Sequence, residues 1–315
     1  MLYDYKKPDI LKTKILSTDN NGTHTVEHIC FPSPYPTDVE EAKEVHIFLH
    51  IPSSQPKGKI LFLHGLGDRN VKYLMWFAQY FASHGFITAF MIMPYNSIRA
   101  SKEHPGGSYY MEADTAKAVE RFRHAVMDAR STIDFLDERF PEFSKTHAMG
   151  ISFGGMIATI TAGVDVRIDK LSLVITGGNF QYINWSSPIT QQVREKYRNG
   201  ENHDGCGTLE KCVIAHQNYM NFVKSVKRQE DVYKAPWRCF TYDPIPFAPL
   251  FKGEVIMFKA AFDKIMPLQS TMQLWEAFGK PKLYTIPSGH YYSIVFKRSI
   301  ARKSLKFFQG FHQDE

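Results

Sequence analysis

Cysteine is scarce in this chain, and the few cysteines present follow no pairing pattern. The four residues, Cys30, Cys206, Cys212 and Cys239, include no Cys-x-x-Cys pair. A disulfide framework is typical of short secreted domains and not of a chain of 315 residues. We therefore expect free thiols.

Long apolar runs and clusters of basic residues are also missing. No apolar stretch approaches the roughly 20 residues that a membrane helix requires, and the start of the chain, MLYDYKKP, lacks the apolar core of a signal peptide. The 38 Lys and Arg residues exceed the 32 Asp and Glu residues by six, but they are scattered along the chain. We expect a cytoplasmic protein without stable membrane insertion or a nucleic-acid partner, and its oligomeric state stays open.

What the chain does contain is ordinary for a globular protein. Hydrophobic residues make up 43% and charged residues 22% of the sequence, which excludes the disordered and fibrous classes. The length allows one large α/β domain with an insertion, or two domains.

Apolar runs typical of buried strands alternate with segments of helical periodicity. This alternation predicts a mostly parallel central sheet flanked by helices, which is the α/β class. Two earlier segments with β-rich composition, residues 23–31 and 45–51, predict antiparallel strands at the edge of that sheet. The predicted parallel strands are residues 59–63, 86–93, 146–151, 171–176, 254–260 and 282–286.

A Gly-x-Ser-x-Gly motif stands where one of these strands passes into a helix. In such a turn the strand and the helix nearly collide, so Gly150 and Gly154 occupy places without room for a Cβ. Ser152 then projects from the edge of the sheet toward the amino end of the helix, where free backbone NH groups favour negative charge. By itself the motif is also compatible with a plain glycine-rich turn.

A second glycine-bearing loop follows the strand at residues 59–63. In the run His64-Gly65-Leu66-Gly67, the Leu66 NH can turn toward Ser152 and form an oxyanion hole together with the Phe153 NH. For His64 itself we favour a structural role, as a buried imidazole that hydrogen-bonds its own loop.

Asp263 and His290 complete a possible catalytic set, because each follows an apolar strand. Parallel strands bring their carboxyl ends to one edge, so Ser152, Asp263 and His290 are expected to meet there in the order nucleophile, acid, base. The alternatives are that Asp263 only caps the next helix, that His290 is a surface turn residue, and that Asp243 is the acid, although Asp-Pro more often forms a turn.

A group of thiols and imidazoles offers a competing metal-site interpretation. His203, Cys206, Cys212 and His216 are chemically suited to zinc, but their spacing fits no standard zinc finger. We expect no metal and no cofactor, with zinc binding at these four residues as the alternative.

Residues 180–249 break the strand and helix rhythm and predict a helical insertion over the edge of the sheet. We expect its aromatic side chains, among them Trp185, Tyr219, Phe222 and Trp237, to shape an acyl pocket as a lid. A scaffold role for the insertion is the alternative. The rim loop at residues 96–108 carries three polar candidates for binding an acidic substrate instead, namely Arg99, Lys102 and His104.

Together the Ser152, His64-Gly65, Asp263 and His290 motifs resemble the α/β-hydrolase superfamily, over the chain from about residue 59 onward. The resemblance is greatest to serine esterases of the dienelactone-hydrolase and acetyl-esterase type. It implies an α/β-hydrolase fold with a helical cap, in which residues 1–179 and 250–315 form the catalytic domain and residues 180–249 form the cap.

The resemblance also implies a function. Ser152 is expected to act as nucleophile, Asp263 as acid and His290 as base, with Leu66 and Phe153 as oxyanion donors, in a hydrolase of small carboxylic esters. Hydrolysis of thioesters or of phospholipid acyl groups is the alternative chemistry. A ligand sensor that has kept the fold without turnover is the alternative of another class.

Overall fold

The computed structural model of the chain describes residues 1–7, 12–67, 70–201 and 206–310. One twisted sheet of nine strands runs through this part of the chain, in the order β1-β2-β3-β5-β4-β6-β7-β8-β9. The strands are β1 (Lys14–Asn20), β2 (His24–Pro32), β3 (Glu44–Pro52), β4 (Gly58–Leu63), β5 (Phe86–Ile92), β6 (Thr146–Ile151), β7 (Ile168–Val174), β8 (Glu254–Ala260) and β9 (Lys282–Ile286).

Strands β5, β4, β6, β7, β8 and β9, in their order across the sheet, are parallel to one another. Strands β1, β2 and β3 form an antiparallel edge beside β5. Every residue of β4 and β5 is buried, as expected for strands covered by helices on both faces. The predicted mostly parallel sheet with an antiparallel edge is therefore confirmed.

Helices cover both faces of the sheet. The α-helices are α1 (Met75–Ser83), α2 (Thr115–Arg139), α3 (Phe153–Val164), α4 (Phe180–Ser186), α5 (Gln191–Arg198), α6 (Leu209–His216), α7 (Tyr219–Ser225), α8 (Gln229–Tyr233), α9 (Leu268–Ala277) and α10 (Lys297–Phe308). Helices α1 and α10 bury apolar side chains against one face, whereas α2, α3 and α9 contribute to the larger core on the other. Within the described ranges, no helix has the length and apolar character needed to span a lipid bilayer.

The register of the parallel strands decides where the following loops lie. Leu63 pairs with Gly150, Val174 pairs with Ile151 and Phe258, and Ala260 pairs with Ile286. Strands β4, β6, β8 and β9 therefore end close to one another, at a single edge of the sheet. The loops that carry Leu66, Ser152, Asp263 and His290 all leave the sheet from this edge.

The segment between β7 and β8 is helical in its described part, from α4 to α8, with short 3-10 turns between the helices. Its first portion, from α4 to α5, and Tyr242 near its end reach the cavity beside Ser152. The later portion packs into the core below, where Val223, Val232 and Phe247 are buried with residues of α2 and α3.

Candidate active site

Ser152 occupies a strained turn between β6 and α3. Its backbone has φ 53° and ψ −120°, a conformation that costs a non-glycine residue roughly 1–3 kcal/mol. Two glycines make the turn possible. A Cβ on Gly150 would lie 2.5 Å from the carbonyl oxygen of Gly154, and a Cβ on Gly154 would lie 2.2 Å from the carbonyl oxygen of Leu63. Both positions therefore exclude every other residue type.

Ser152, His290 and Asp263 form an uninterrupted chain of hydrogen bonds. The Ser152 Oγ lies 2.9 Å from His290 Nε2, and His290 Nδ1 lies 2.8 Å from Asp263 Oδ2. The side chains of His290 and Asp263 are each only 8% exposed. Because the carboxylate accepts a hydrogen bond from the Nδ1–H group, the proton of the neutral imidazole lies on Nδ1, and Nε2 has a free lone pair directed at the serine hydroxyl.

Asp263 is fixed by its own loop. Its second oxygen, Oδ1, accepts hydrogen bonds from the backbone NH groups of Ile265, at 2.9 Å, and Met266, at 2.8 Å. These two donors stop the carboxylate from rotating and leave Oδ2 facing His290. Asp263 does not cap α9, because the N-cap of that helix is Pro267; its carboxylate orders the loop before the helix and pairs with His290.

The residues expected to supply the oxyanion donors both lie near Ser152. Phe153 is the first residue of α3, so its NH has no carbonyl ahead of it within the helix. The loop after β4 comes close to the serine, since a Cβ on Gly65 would lie 3.3 Å from the Ser152 Cβ. Leu66 and Phe153 both line the cavity that contains Ser152 and His290.

His64 has the structural role that the sequence predicted. The side chain is fully buried; its Nδ1 donates to the Gly65 carbonyl at 2.6 Å, and its Nε2 accepts from the Met93 NH at 3.0 Å. Burial lowers the pKa of His64 to about 4, so the imidazole stays neutral at physiological pH. It braces the loop that carries Leu66 against the end of β5.

Asp243, the rival acid, belongs to a different part of the structure. Its carboxylate is buried and accepts hydrogen bonds from the backbone NH groups of Phe180, at 3.1 Å, and Ile245, at 3.0 Å. Burial raises the pKa of Asp243 to about 6. Asp243 thus anchors the start of α4, while His290 pairs with Asp263.

Of the four residues considered as alternative zinc ligands, the structure describes Cys206, Cys212 and His216. His203 lies outside the described residues. Among the residues that the structure does describe, no group of three or more His, Cys, Asp or Glu side chains is arranged to hold a metal ion. Cys212 Sγ lies 3.7 Å from His216 Nδ1, and that nitrogen donates to the Cys212 carbonyl at 2.8 Å.

A cavity extends from the Ser152 hydroxyl toward the insertion and encloses about 800 Å³ of empty space, part of it open to solvent. We refer to this cavity as the chamber. Its walls are mainly apolar and come from the loops after β4, β5, β8 and β9, from helices α2 to α5, and from Tyr242. The lining side chains include Leu66, Met111, Phe122, Phe153, Met156, Phe180, Ile183, Ile189, Val193, Tyr242 and Met266.

The aromatic residues expected to shape the pocket are not the ones that line the chamber. Trp185 stacks on Tyr197, with ring centroids 5.6 Å apart, and Phe222 packs against Phe240 at 5.7 Å. In place of these side chains, the apolar and aromatic residues that the insertion presents to the chamber are Phe180, Ile183, Ile189, Val193 and Tyr242. Helical periodicity predicted the helices but did not determine which face of each would turn inward.

Glu112 is a chamber residue that the sequence did not single out. Its Oε2 lies 2.8 Å from Arg121 and its Oε1 lies 3.6 Å from Lys196 of α5, which ties the insertion to the rest of the structure. Burial opposes ionisation, but the Asp114 NH and the Arg121 guanidinium hold the pKa of the Glu112 carboxyl below its usual range. The chamber wall therefore contains an ionised carboxylate whose negative charge is paired with Arg121 and Lys196.

The rim loop does not offer Arg99 to an acidic substrate. The guanidinium is fully buried and donates to Asp128 at 2.6 Å and to the carbonyls of Ile92, at 2.8 Å, and Ala42, at 2.9 Å. A buried and paired cation of this kind stabilises the loop rather than binding a ligand.

Several known structures share this architecture at low sequence identity. The acetyl xylan esterase from Paenibacillus sp. R4 has a TM-score of 0.61 at 17% identity, covering 92% of this chain and 88% of that protein. A cold-adapted esterase from an Arctic intertidal metagenomic library has a TM-score of 0.55 at 14% identity, covering 94% and 98% respectively. The Pyrococcus horikoshii acylaminoacyl peptidase has a TM-score of 0.56 at 13% identity, covering 96% of this chain and 51% of the peptidase.

No protein-family model and no curated protein sequence matches the chain. The structural likenesses show that the protein has the α/β-hydrolase fold, as its motifs predicted. At these identities they extend to the fold alone.

Proposed function

We propose that this protein of α/β-hydrolase fold is a serine hydrolase that cleaves carboxylic esters through an acyl-Ser152 intermediate. The observation that carries the proposal is the hydrogen-bonded chain from Ser152 through His290 to Asp263 at the mouth of the chamber. A serine hydroxyl is a weak nucleophile until an adjacent base accepts its proton, and this arrangement supplies that base in the required tautomer.

In the proposed acylation step, His290 Nε2 accepts the Ser152 proton as Oγ attacks the ester carbonyl carbon. The Leu66 and Phe153 NH groups stabilise the negative charge that develops on the carbonyl oxygen. Asp263 stabilises the imidazolium by electrostatic attraction and remains ionised. His290 then transfers the proton to the alkoxide oxygen of the leaving alcohol as the C–O bond breaks.

In deacylation, a water molecule takes the place of the alcohol. His290 accepts one of its protons as the water oxygen attacks the acyl carbon, and then returns that proton to Ser152 Oγ as the acid is released. The same residues therefore serve both half-reactions, and no other proton carrier is needed.

For the insertion, we propose that residues 180–249 cap a catalytic domain formed by residues 1–179 and 250–315. Two observations support this division. Helices α4 and α5 line the chamber, and Lys196 of α5 forms an ion pair with Glu112 of the catalytic domain. We further propose a small-molecule ester as the substrate. The cytoplasmic location remains a prediction from the sequence.

The test is hydrolysis of p-nitrophenyl acetate and butyrate by the native chain and by Ser152→Ala. We expect the variant to lose at least about 10⁴-fold in kcat while it keeps the fold, because only the nucleophile is removed. Equal rates for the two proteins would exclude Ser152 as the nucleophile.

A fluorophosphonate probe separates hydrolase from ligand sensor. Covalent labelling of Ser152 that disappears in His290→Ala is the result expected of an activated serine. No labelling of a folded native protein would instead favour the sensor. Thioester hydrolysis uses the same residues, and matched oxygen and sulfur esters of one acid distinguish it from ester hydrolysis.

A further inference from the structure

The chamber is lined mainly by apolar side chains. Beyond Ser152 it is walled by Met156 of α3, Phe122 of α2, Ile183 of α4 and Val193 of α5. Ile183 and Val193 are only 6% and 3% exposed, so they form part of the wall rather than the outer surface. An apolar space of this kind favours hydrocarbon over groups that need hydrogen bonds.

A second cavity lies outside the chamber and is open and polar. This groove contains about 1450 Å³ of empty space, including open solvent, and its lining includes Asn70, Ser108, Gln192 and Glu195. Among the described residues that line it, Glu195 is the one acidic side chain, and none is a lysine or an arginine. Leu66 and Tyr291 line both the groove and the chamber.

A narrow cleft connects Ser152 with the groove. Its lining contains Ser152 and His290 together with Gly65, and it shares Tyr73 and Tyr291 with the groove. The cleft itself is mostly apolar, with Leu74, Phe77 and Ile294 in its lining. The serine therefore faces the chamber and, through this cleft, the more open and more polar groove.

The proposed reaction decides which part of an ester enters each space. The acyl group stays bonded to Ser152 after the alcohol has left, so it can lie in an enclosed space. The alcohol must depart and be replaced by water, so it needs the open side. The apolar chamber then suits the acyl chain, and the polar groove suits the alcohol.

We infer that the substrate is an ester of a medium-length apolar acid with a neutral polar alcohol, such as a short glyceride, and that Ile183 and Val193 set the acyl length. This inference rests on the proposed hydrolase function and adds the substrate class to it. An anionic head group would meet Glu195 without a basic partner among the described lining residues of the groove. An acetyl group has a single methyl and would leave the apolar side chains that line the chamber beyond Ser152 without contact.

The acyl part is tested with p-nitrophenyl acetate, butyrate, hexanoate and octanoate, which share one leaving group. Burial of each added methylene should raise kcat/KM roughly fourfold until the chamber is full. Val193→Phe, which reduces the space, should lower kcat/KM for octanoate at least tenfold more than it lowers kcat/KM for acetate. Ile183→Ala, which enlarges the space, should move the optimum toward longer chains.

Phe222→Ala is the matched control. The residue lies in the same insertion but packs against Phe240, outside the chamber, so its chain-length profile should equal that of the native protein. The two chamber variants change the profile in opposite directions, so the failure of one to fold leaves the other decisive. An unchanged profile in the folded variants, or a native profile that falls steadily from acetate, would overturn the inference.

The alcohol part is tested by comparing monooctanoylglycerol with octanoyl lysophosphatidate, which carries an anionic phosphate. We expect kcat/KM for the glyceride to be about fivefold or more above that for the phosphate ester. Glu195→Gln should reduce this difference in kcat/KM, because it removes the negative charge that repels the phosphate. Preference for the phosphate ester would overturn this part. If acetate hydrolysis depends on Ser152 but the rate does not vary with chain length, the proposed function stands and only the acyl assignment is refuted. If the probe does not label Ser152, both the function and the acyl assignment are refuted.

Discussion

Replacing Asp263 by asparagine tests the candidate site most directly, because the surrounding backbone dictates how the new amide must lie. The Ile265 and Met266 NH groups both donate to Oδ1. In Asp263→Asn only the amide oxygen can accept from them, so the amide NH₂ is turned toward His290 Nδ1. The imidazole must then accept at Nδ1 and carry its proton on Nε2, where it can no longer accept the proton of Ser152.

The size of the loss follows from the cost of reversing that amide. Turning the oxygen toward His290 would place the NH₂ group against two backbone donors and sacrifice both hydrogen bonds. At about 1–2 kcal/mol for each bond, with added donor repulsion, the reversal costs roughly 3–5 kcal/mol. The productive tautomer is then populated about 10²- to 10⁴-fold less. The corresponding substitution in a serine protease lowers kcat about 10⁴-fold, at the upper end of this range.

The assay measures kcat for p-nitrophenyl butyrate together with the melting temperature. Asp263→Asn should keep the melting temperature nearly unchanged, because the side chain is isosteric and retains both backbone hydrogen bonds. Asp169→Asn is the matched control, since Asp169 Oδ1 pairs with His147 Nδ1 at 2.7 Å in a second His–Asp pair that is not joined to Ser152. Its kcat should stay within about twofold of the native value.

A folded Asp263→Asn protein that keeps kcat within tenfold of native would refute the orienting role of Asp263. Equal losses in both variants would show that the effect does not depend on the candidate site.

Two further predictions concern stability and the turn at the nucleophile. Burial lowers the pKa of His50 to about 3, so as pH falls below the ordinary value of about 6.5 the unfolded state binds a proton that the folded state refuses. Between about pH 7 and pH 5 this should remove roughly 2 kcal/mol of unfolding free energy. Chemical denaturation at the two pH values should find a smaller loss in His50→Leu than in the native protein. An undiminished loss in His50→Leu, or an equally reduced loss in the control variant His84→Leu, which changes an exposed histidine, would contradict the assignment. Gly150→Ala places a methyl group 2.5 Å from the Gly154 carbonyl oxygen, so we expect roughly 3 kcal/mol or more of destabilisation and loss of ester hydrolysis. Gly207→Ala, where no atom lies within 4 Å, should leave melting temperature and rate unchanged, and a Gly150→Ala protein of native stability would refute the steric argument.

The antiparallel edge shows where sequence patterns stop being informative. Strands β2 and β3 were predicted from their composition, but β1 was not, because all seven of its residues are exposed. A strand without a buried face has no alternating apolar pattern to reveal it. It is held instead by antiparallel pairing with β2, which only the folded structure displays.

The chamber shows the same limit in a functional setting. The insertion was recognised as helical and placed near the site, yet Trp185 and Phe222 were named where Ile183 and Val193 line the space. The contact of Glu112 with Lys196 joins residues far apart in the chain, and no local motif marks it. The rotation of a short helix about its axis depends on what it packs against, so its inward face follows from tertiary contacts.

The sequence by itself determined the candidate triad and the fold class, because each motif directly follows an apolar strand. In a parallel sheet, the carboxyl ends of strands meet at one edge, so the strand pattern was enough to predict that residues 152, 263 and 290 lie close together. Tertiary structure alone decided the orientation of the Asp263 carboxylate, the partners of Arg99 and the shape of the chamber. Strand and helix formation depends on local patterns, whereas cavities and buried ion pairs depend on how separate elements approach in space.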